Sequence, residues 1–134
     1  MIVGTAPWLY LTLRPDPAGT GYIRLVPFSD LAFLSQGPVD FLIVQVVGNL
    51  LVFAALGFFL PIRSAAFASI PKVLAVGAFA SLGIELTQLL AHLFLAYGRT
   101  FSVDDIMLNA AGAALAAACS RRWWAGPQID QATP

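Results

Sequence analysis

From Phe41 to Leu60 the chain carries no Lys, Arg, Asp or Glu, and from Val73 to Tyr97 Glu85 is the one such residue. A third run, from about Asp105 to Trp124, is apolar from Ile106 to Cys119 apart from Asn109, with Arg121 and Arg122 able to snorkel and Trp123 and Trp124 suited to an interfacial belt. A helix needs roughly 20 apolar residues to cross a hydrocarbon core. A soluble domain of 134 residues leaves too much of its surface exposed to hide three such runs. Hydrophobic residues make up 59% of the chain and charged ones 10%, against about 25% charged in a soluble domain. Lipid must therefore be the solvent for part of the molecule. The expected fold is all-α, a polytopic membrane bundle of three full transmembrane helices plus a short or truncated N-terminal one, four in total. It forms a single transmembrane domain over residues 1–124, followed by a short polar tail, 125–134.

The apolar opening, Met1 to Leu13, is too short to span alone and has neither the basic leader nor the small-residue cleavage site of a signal peptide. Between it and the next run, Pro15, Pro17, Pro27 and Pro38 break up the segment Arg14 to Asp40. That segment reads as an irregular connector with an interfacial patch, Leu25-Val26-Pro27-Phe28. The formal net charge of zero removes any electrostatic case for nucleic acid. A lone cysteine, Cys119, excludes an internal disulfide.

Basic residues beside the spans set orientation. Arg63 and Lys72 occupy a connector with no acid, and Arg121 and Arg122 follow the last run, which places both at the cytoplasm. Arg14, Asp16, Arg24, Asp30 and Asp40, and Arg99, Asp104 and Asp105, then face outward. At about 1.5 Å of rise per residue, Asn49 lies about 12 Å, Gln88 about 10 Å and Glu85 about 15 Å below the outer ends of their helices. Ser81, Glu85, Gln88 and His92 share one helix face; so do Asp105, Asn109, Gly112 and Ala116, and so do Gln45 and Asn49. Three polar stripes can thus converge on one cavity open to the outside, and such groups inside a membrane usually mark a site.

Each residue also has a plainer reading. Glu85, Gln88, Asn49 and Asn109 can act as interhelical glue. Gly112 and the alanines after it suit close packing. Asp104 suits an N-cap, in competition with Ser102, which leaves Asp105 as the better functional carboxylate. His92 suits the membrane interface. If ionised, Glu85 and Asp105 need a cation, and Arg99 is the expected partner of one of them.

Taken together, Arg24-Leu-Val-Pro-Phe28, Asn49-Leu-Leu-Val-Phe53 with Leu56-Gly57, Ser81-Leu-Gly-Ile-Glu85-Leu-Thr-Gln88, and Arg99 to Asn109 with Gly112 resemble the VanZ-like family of small bacterial membrane proteins. The resemblance runs from about Arg24 to Ala118. It implies a four-helix membrane protein and a link to teicoplanin resistance. Two positions depart from the family pattern. An alanine replaces the proline between Phe53 and Leu56, which removes one cause of a helix kink, and Ala116 stands where a glycine often follows Gly112 by four.

Two function classes follow. In the first, the chain binds or processes a cell-envelope amphiphile, a membrane lipid or lipid-linked molecule. Glu85 and Asp105 are then candidate catalytic groups, and Arg24, Asn49, Gln88, Arg99, Asp104 and Asn109 candidate ligand contacts. In the second, it is a non-enzymatic scaffold or accessory subunit, partnered by another membrane protein or by its own copies, whose polar residues only hold helices together. Metal chemistry at Asp104-Asp105 is a weaker option, because adjacent helical residues point to different faces and no His-Glu-x-x-His helix is present. No Gly-x-Ser-x-Gly elbow or phosphate-cradling glycine loop occurs, and no cofactor is expected.

Overall fold

A computed structural model describes residues 23–95 and 100–124. In chain order it contains β1 (Ile23–Arg24), α1 (Ser29–Leu34), α2 (Val39–Val52), α3 (Ala54–Arg63), a 3-10 turn (Ala65–Phe67), α4 (Ile70–Leu95), β2 (Phe101–Ser102), α5 (Val103–Cys119) and α6 (Arg121–Trp124). Two prolines mark helix starts, while Pro61 lies inside α3. Pro38 is extended at the N-cap of α2, and Pro71 sits in the first turn of α4, where a missing N–H deprives the helix of nothing.

Two stretches are long and apolar enough to cross a membrane: Val39–Arg63, which joins α2 to α3, and Ile70–Phe94 in α4. Their mean hydropathies are 2.3 and 1.7, yet only 11% and 28% of their most apolar windows are buried. A soluble core helix of this composition would be largely covered, so these faces need lipid. The 17 residues of α5 rise about 26 Å, just short of a full hydrocarbon core. Ser120 ends the helix, and the indole of Trp124 folds back to donate to the Ala117 carbonyl and the Ser120 hydroxyl, each at 3.1 Å. The expected N-terminal helix lies outside the described residues.

Among the described residues the fold departs from an all-helical one at a single place. Ile23 pairs with Phe101 and Arg24 with Ser102 in a short parallel bridge that ties the connector to the entrance of α5. Two residues carry no periodicity, so nothing in the sequence signals this pairing.

The bundle is organised around α5, which lies between α2–α3 on one side and α4 on the other. A Cβ added to Gly57 would lie 1.9 Å from the Ala113 carbonyl oxygen, and one added to Gly112 would lie 2.1 Å from that of Leu50. On the opposite side, a Cβ on Gly77 would meet the Ala113 methyl at 3.0 Å. Small residues thus let three backbones approach closely, the usual means of joining helices where lipid removes the hydrophobic drive. Phe53, Val73, Ala113 and Ala117 form the apolar core beside these contacts.

The α2–α3 helix is interrupted at Phe53, whose φ of −100° and ψ of 0° leave the helical region, although no proline stands at or next to that position. Leu50 and Gly57, on either side of the break, both touch the backbone of α5. The interruption therefore lets one helix follow another across two turns, a job the missing family proline is not needed for. Gly57→Ala is expected to destabilise the protein by about 1–3 kcal/mol through overpacking. Gly48→Ala, with nothing within 4 Å of the new methyl, should be neutral or slightly stabilising. Unfolding in mixed detergent and SDS micelles compares the two.

Candidate functional site

Along α4 the face turned to the bundle reads Val73, Gly77, Ser81, Glu85 and Gln88, all buried. Along α5 the corresponding face reads Ala117, Ala113, Gly112, Asn109 and Asp105, also buried. Both stripes change from small and apolar at the Arg63 end to polar at the connector end. There, Asn109 Nδ2 donates to Ser81 Oγ at 2.8 Å, joining α5 to α4. One turn away, Asp105 accepts from Gln45 Nε2 at 2.5 Å and from Asn49 Nδ2 at 2.6 Å, joining α5 to α2. Glu85 accepts from the Ser102 backbone N–H at 3.0 Å. Ser81, Glu85, Gln88 and Asn109 are each at most 4% exposed, and Asp105 is 9% exposed.

Of the residues singled out in the sequence, Asn49 meets Asp105, Asn109 meets Ser81, and Glu85 and Gln88 are buried one turn apart on the same face of α4. Ala116 is half-buried, while Ala113 and Ala117 next to it make the close contacts. Asn109 Oδ1 is buried without a hydrogen-bond partner. An orphaned amide oxygen forfeits about 1–3 kcal/mol of solvation.

Asp104 behaves differently from its neighbour. Its carboxylate accepts from three backbone N–H groups across the bundle: Phe28 at 2.5 Å, Asp30 at 2.8 Å and Leu31 at 3.2 Å. It is an N-cap, but of α1 and not of its own helix. Ser102 does not cap α5 with its side chain either; its hydroxyl donates to Asp30. Asp30 in turn holds the Arg24 guanidinium at 2.5 Å, and that guanidinium lies 4.9 Å from the centre of the Phe33 ring. Arg24 and Asp104 are thus engaged in fixing the connector. The two adjacent carboxylates serve different elements, which removes the geometry a shared metal would require. Among the described residues no three His, Cys, Asp or Glu side chains are grouped to hold a metal ion. Arg99 lies outside the described residues.

Sequence reasoning did not single out Ser102 as a functional link. It joins the buried layer to the connector, giving its backbone N–H to Glu85 and its hydroxyl to Asp30. Its sequence signal, a helix-capping serine, points to a local role that the fold does not use.

The family model described as VanZ/LLP1 matches residues 2–124, nearly the whole chain. The chain belongs to the VanZ/LLP1 family. No curated protein and no solved structure matches it significantly. The VanZ/LLP1 match takes in the connector, the small-residue contacts and the polar layer alike. Family and apolar helices together are those of a membrane protein.

Asp104→Ala strips three backbone donors of their acceptor and is expected to lower stability by about 2 kcal/mol or more. Asp104→Asn, which keeps one carbonyl oxygen, should lose less. SDS-titration unfolding measures both.

Proposed function

We propose that this VanZ/LLP1 protein is a multi-pass protein of the bacterial cytoplasmic membrane that binds, and acts upon, the polar headgroup of an envelope amphiphile at the outward-facing end of its bundle. On this reading α5 spans the membrane with α6 at its boundary, a further span lies in the N-terminal segment, and the C-terminus is cytoplasmic, following the basic residues Arg63, Lys72, Arg121 and Arg122. Glu85 and Asp105 supply the reacting or recognising carboxylates. Asn49, Gln88 and Asn109 orient the ligand and Arg99 acts at the rim, while Arg24 and Asp104 hold the connector beside it.

One observation carries the reading: the same helix faces that join through Gly57, Gly77, Gly112 and Ala113 at one end carry Ser81, Glu85, Asp105 and Asn109 at the other. At the Arg63 end small residues alone make the close contacts between these helices. Interhelical hydrogen bonds in a membrane average only about 0.6 kcal/mol, a poor return for burying two carboxyl groups as packing aids. A ligand headgroup supplies the reason that packing does not. The envelope placement and a link to glycopeptide resistance rest on the family resemblance.

The second reading, a scaffold without chemistry, draws on Asp104, a buried carboxylate whose visible contacts are purely structural. Conservative variants separate the two. Glu85→Gln and Asp105→Asn keep hydrogen-bonding capacity and are expected to leave SDS-unfolding midpoints near wild type. Native mass spectrometry of protein extracted in mild detergent should show a co-purifying amphiphile in the wild type and about a tenfold loss in each variant, equivalent to about 1.4 kcal/mol. Equal lipid complements in wild type and both variants would favour the scaffold.

A further inference from the structure

The connector from β1 through α1 turns an unusual face outward. Ile23, Leu25, Val26, Phe28 and Phe33 are 57%, 62%, 68%, 60% and 62% exposed. In water such a run of apolar side chains would be an aggregation hazard or a docking surface. The polar groups of its first half point the other way. The backbone N–H groups of Phe28, Asp30 and Leu31 converge on Asp104, inside the bundle, and the side-chain charges of Arg24 and Asp30 neutralise each other. Irregular backbone meets lipid only where the protein satisfies its hydrogen-bonding groups, and here one buried carboxylate satisfies three. Phe28 holds a left-handed φ of 65°, rare and strained for an aromatic residue, and its ring is left exposed.

We infer that residues 23–38 form a lipid-contact element, lying in the interface of the leaflet at the connector end with Leu25, Val26, Phe28 and Phe33 inserted among the lipids and Asp104 anchoring the segment from within. The occupant is the bilayer itself, and continuity identifies it. Val39, Phe41 and Val44, which open the adjoining membrane-spanning stretch, are 67%, 64% and 70% exposed, so apolar surface continues from the connector into the lipid-facing side of α2, with the exposed polar residues Ser35, Gln36 and Asp40 beside it at the joint. At the joint, Phe33, Leu34, Gln36, Gly37, Pro38 and Phe41 line a shallow groove of about 320 Å³ whose surface is mostly apolar, a shape that suits an acyl chain. The inference is independent of any headgroup chemistry in the buried layer. It assigns to Asp104 a membrane-anchoring role through the backbone that it caps.

Nitroxide labels test it. In a Cys119→Ser background, Leu25→Cys, Val26→Cys and, as a control in the opposite connector, Ala66→Cys are labelled and reconstituted into vesicles of phosphatidylethanolamine and phosphatidylglycerol. All three positions are exposed, so the labels should leave the fold intact. Collision with oxygen compared with a water-soluble nickel chelate reports depth. Labels at 25 and 26 are expected about 5–10 Å below the headgroup boundary, the depth reached by interfacial elements. Adding Asp104→Ala should shift both toward water. Full nickel accessibility at 25 and 26 would place the connector in solvent and overturn the inference. Protection from both colliders would show a protein partner covering the face, either the chain's own residues 1–22 or a second copy, and would overturn it equally.

Discussion

The closeness of α5 to its two neighbours is the condition for everything else in this molecule. Gly57 and Gly112 bring the backbones of α3 and α2 against α5, and Gly77 brings α4 against its other side. At such spacing short polar side chains of facing helices readily reach one another. Asp105 with Gln45 and Asn49, and Asn109 with Ser81, use that spacing at the connector end. The interruption at Phe53 belongs to the same constraint, since it keeps both Leu50 and Gly57 on the backbone of α5.

Upon that frame the connector end carries two polar systems with different duties. The outer one, Arg24, Asp30, Ser102 and Asp104, secures irregular backbone that cannot satisfy itself. The inner one, Ser81, Glu85, Gln88, Asp105 and Asn109, is buried between helices that already have an adequate way of packing. Ser102 connects them, so a change in the connector has a direct mechanical route to Glu85.

Much of this was legible from residues alone. The stripe Ser81, Glu85, Gln88 follows from helical periodicity, as does the shared face of Asp105 and Asn109, because a residue's face is a matter of position along a regular helix. The close-packing role of Gly112 was legible too, since small residues are the ordinary means of contact in lipid. The β1–β2 bridge was not, because two residues leave no pattern. Nor was the break at Phe53, which no proline at or next to that position marks.

Asp104 and Asp105 mark the boundary between the two kinds of knowledge. Composition and the charge-free runs dictate a bilayer as solvent, and the 3.6-residue repeat dictates that adjacent carboxylates leave the helix on different sides. Which elements lie on those sides is a question no local rule answers. Only the assembled bundle sets α1 against one carboxylate and α2 against the other, making Asp104 a cap in trans and Asp105 a partner of Gln45 and Asn49, because both contacts join residues more than fifty positions apart in the chain.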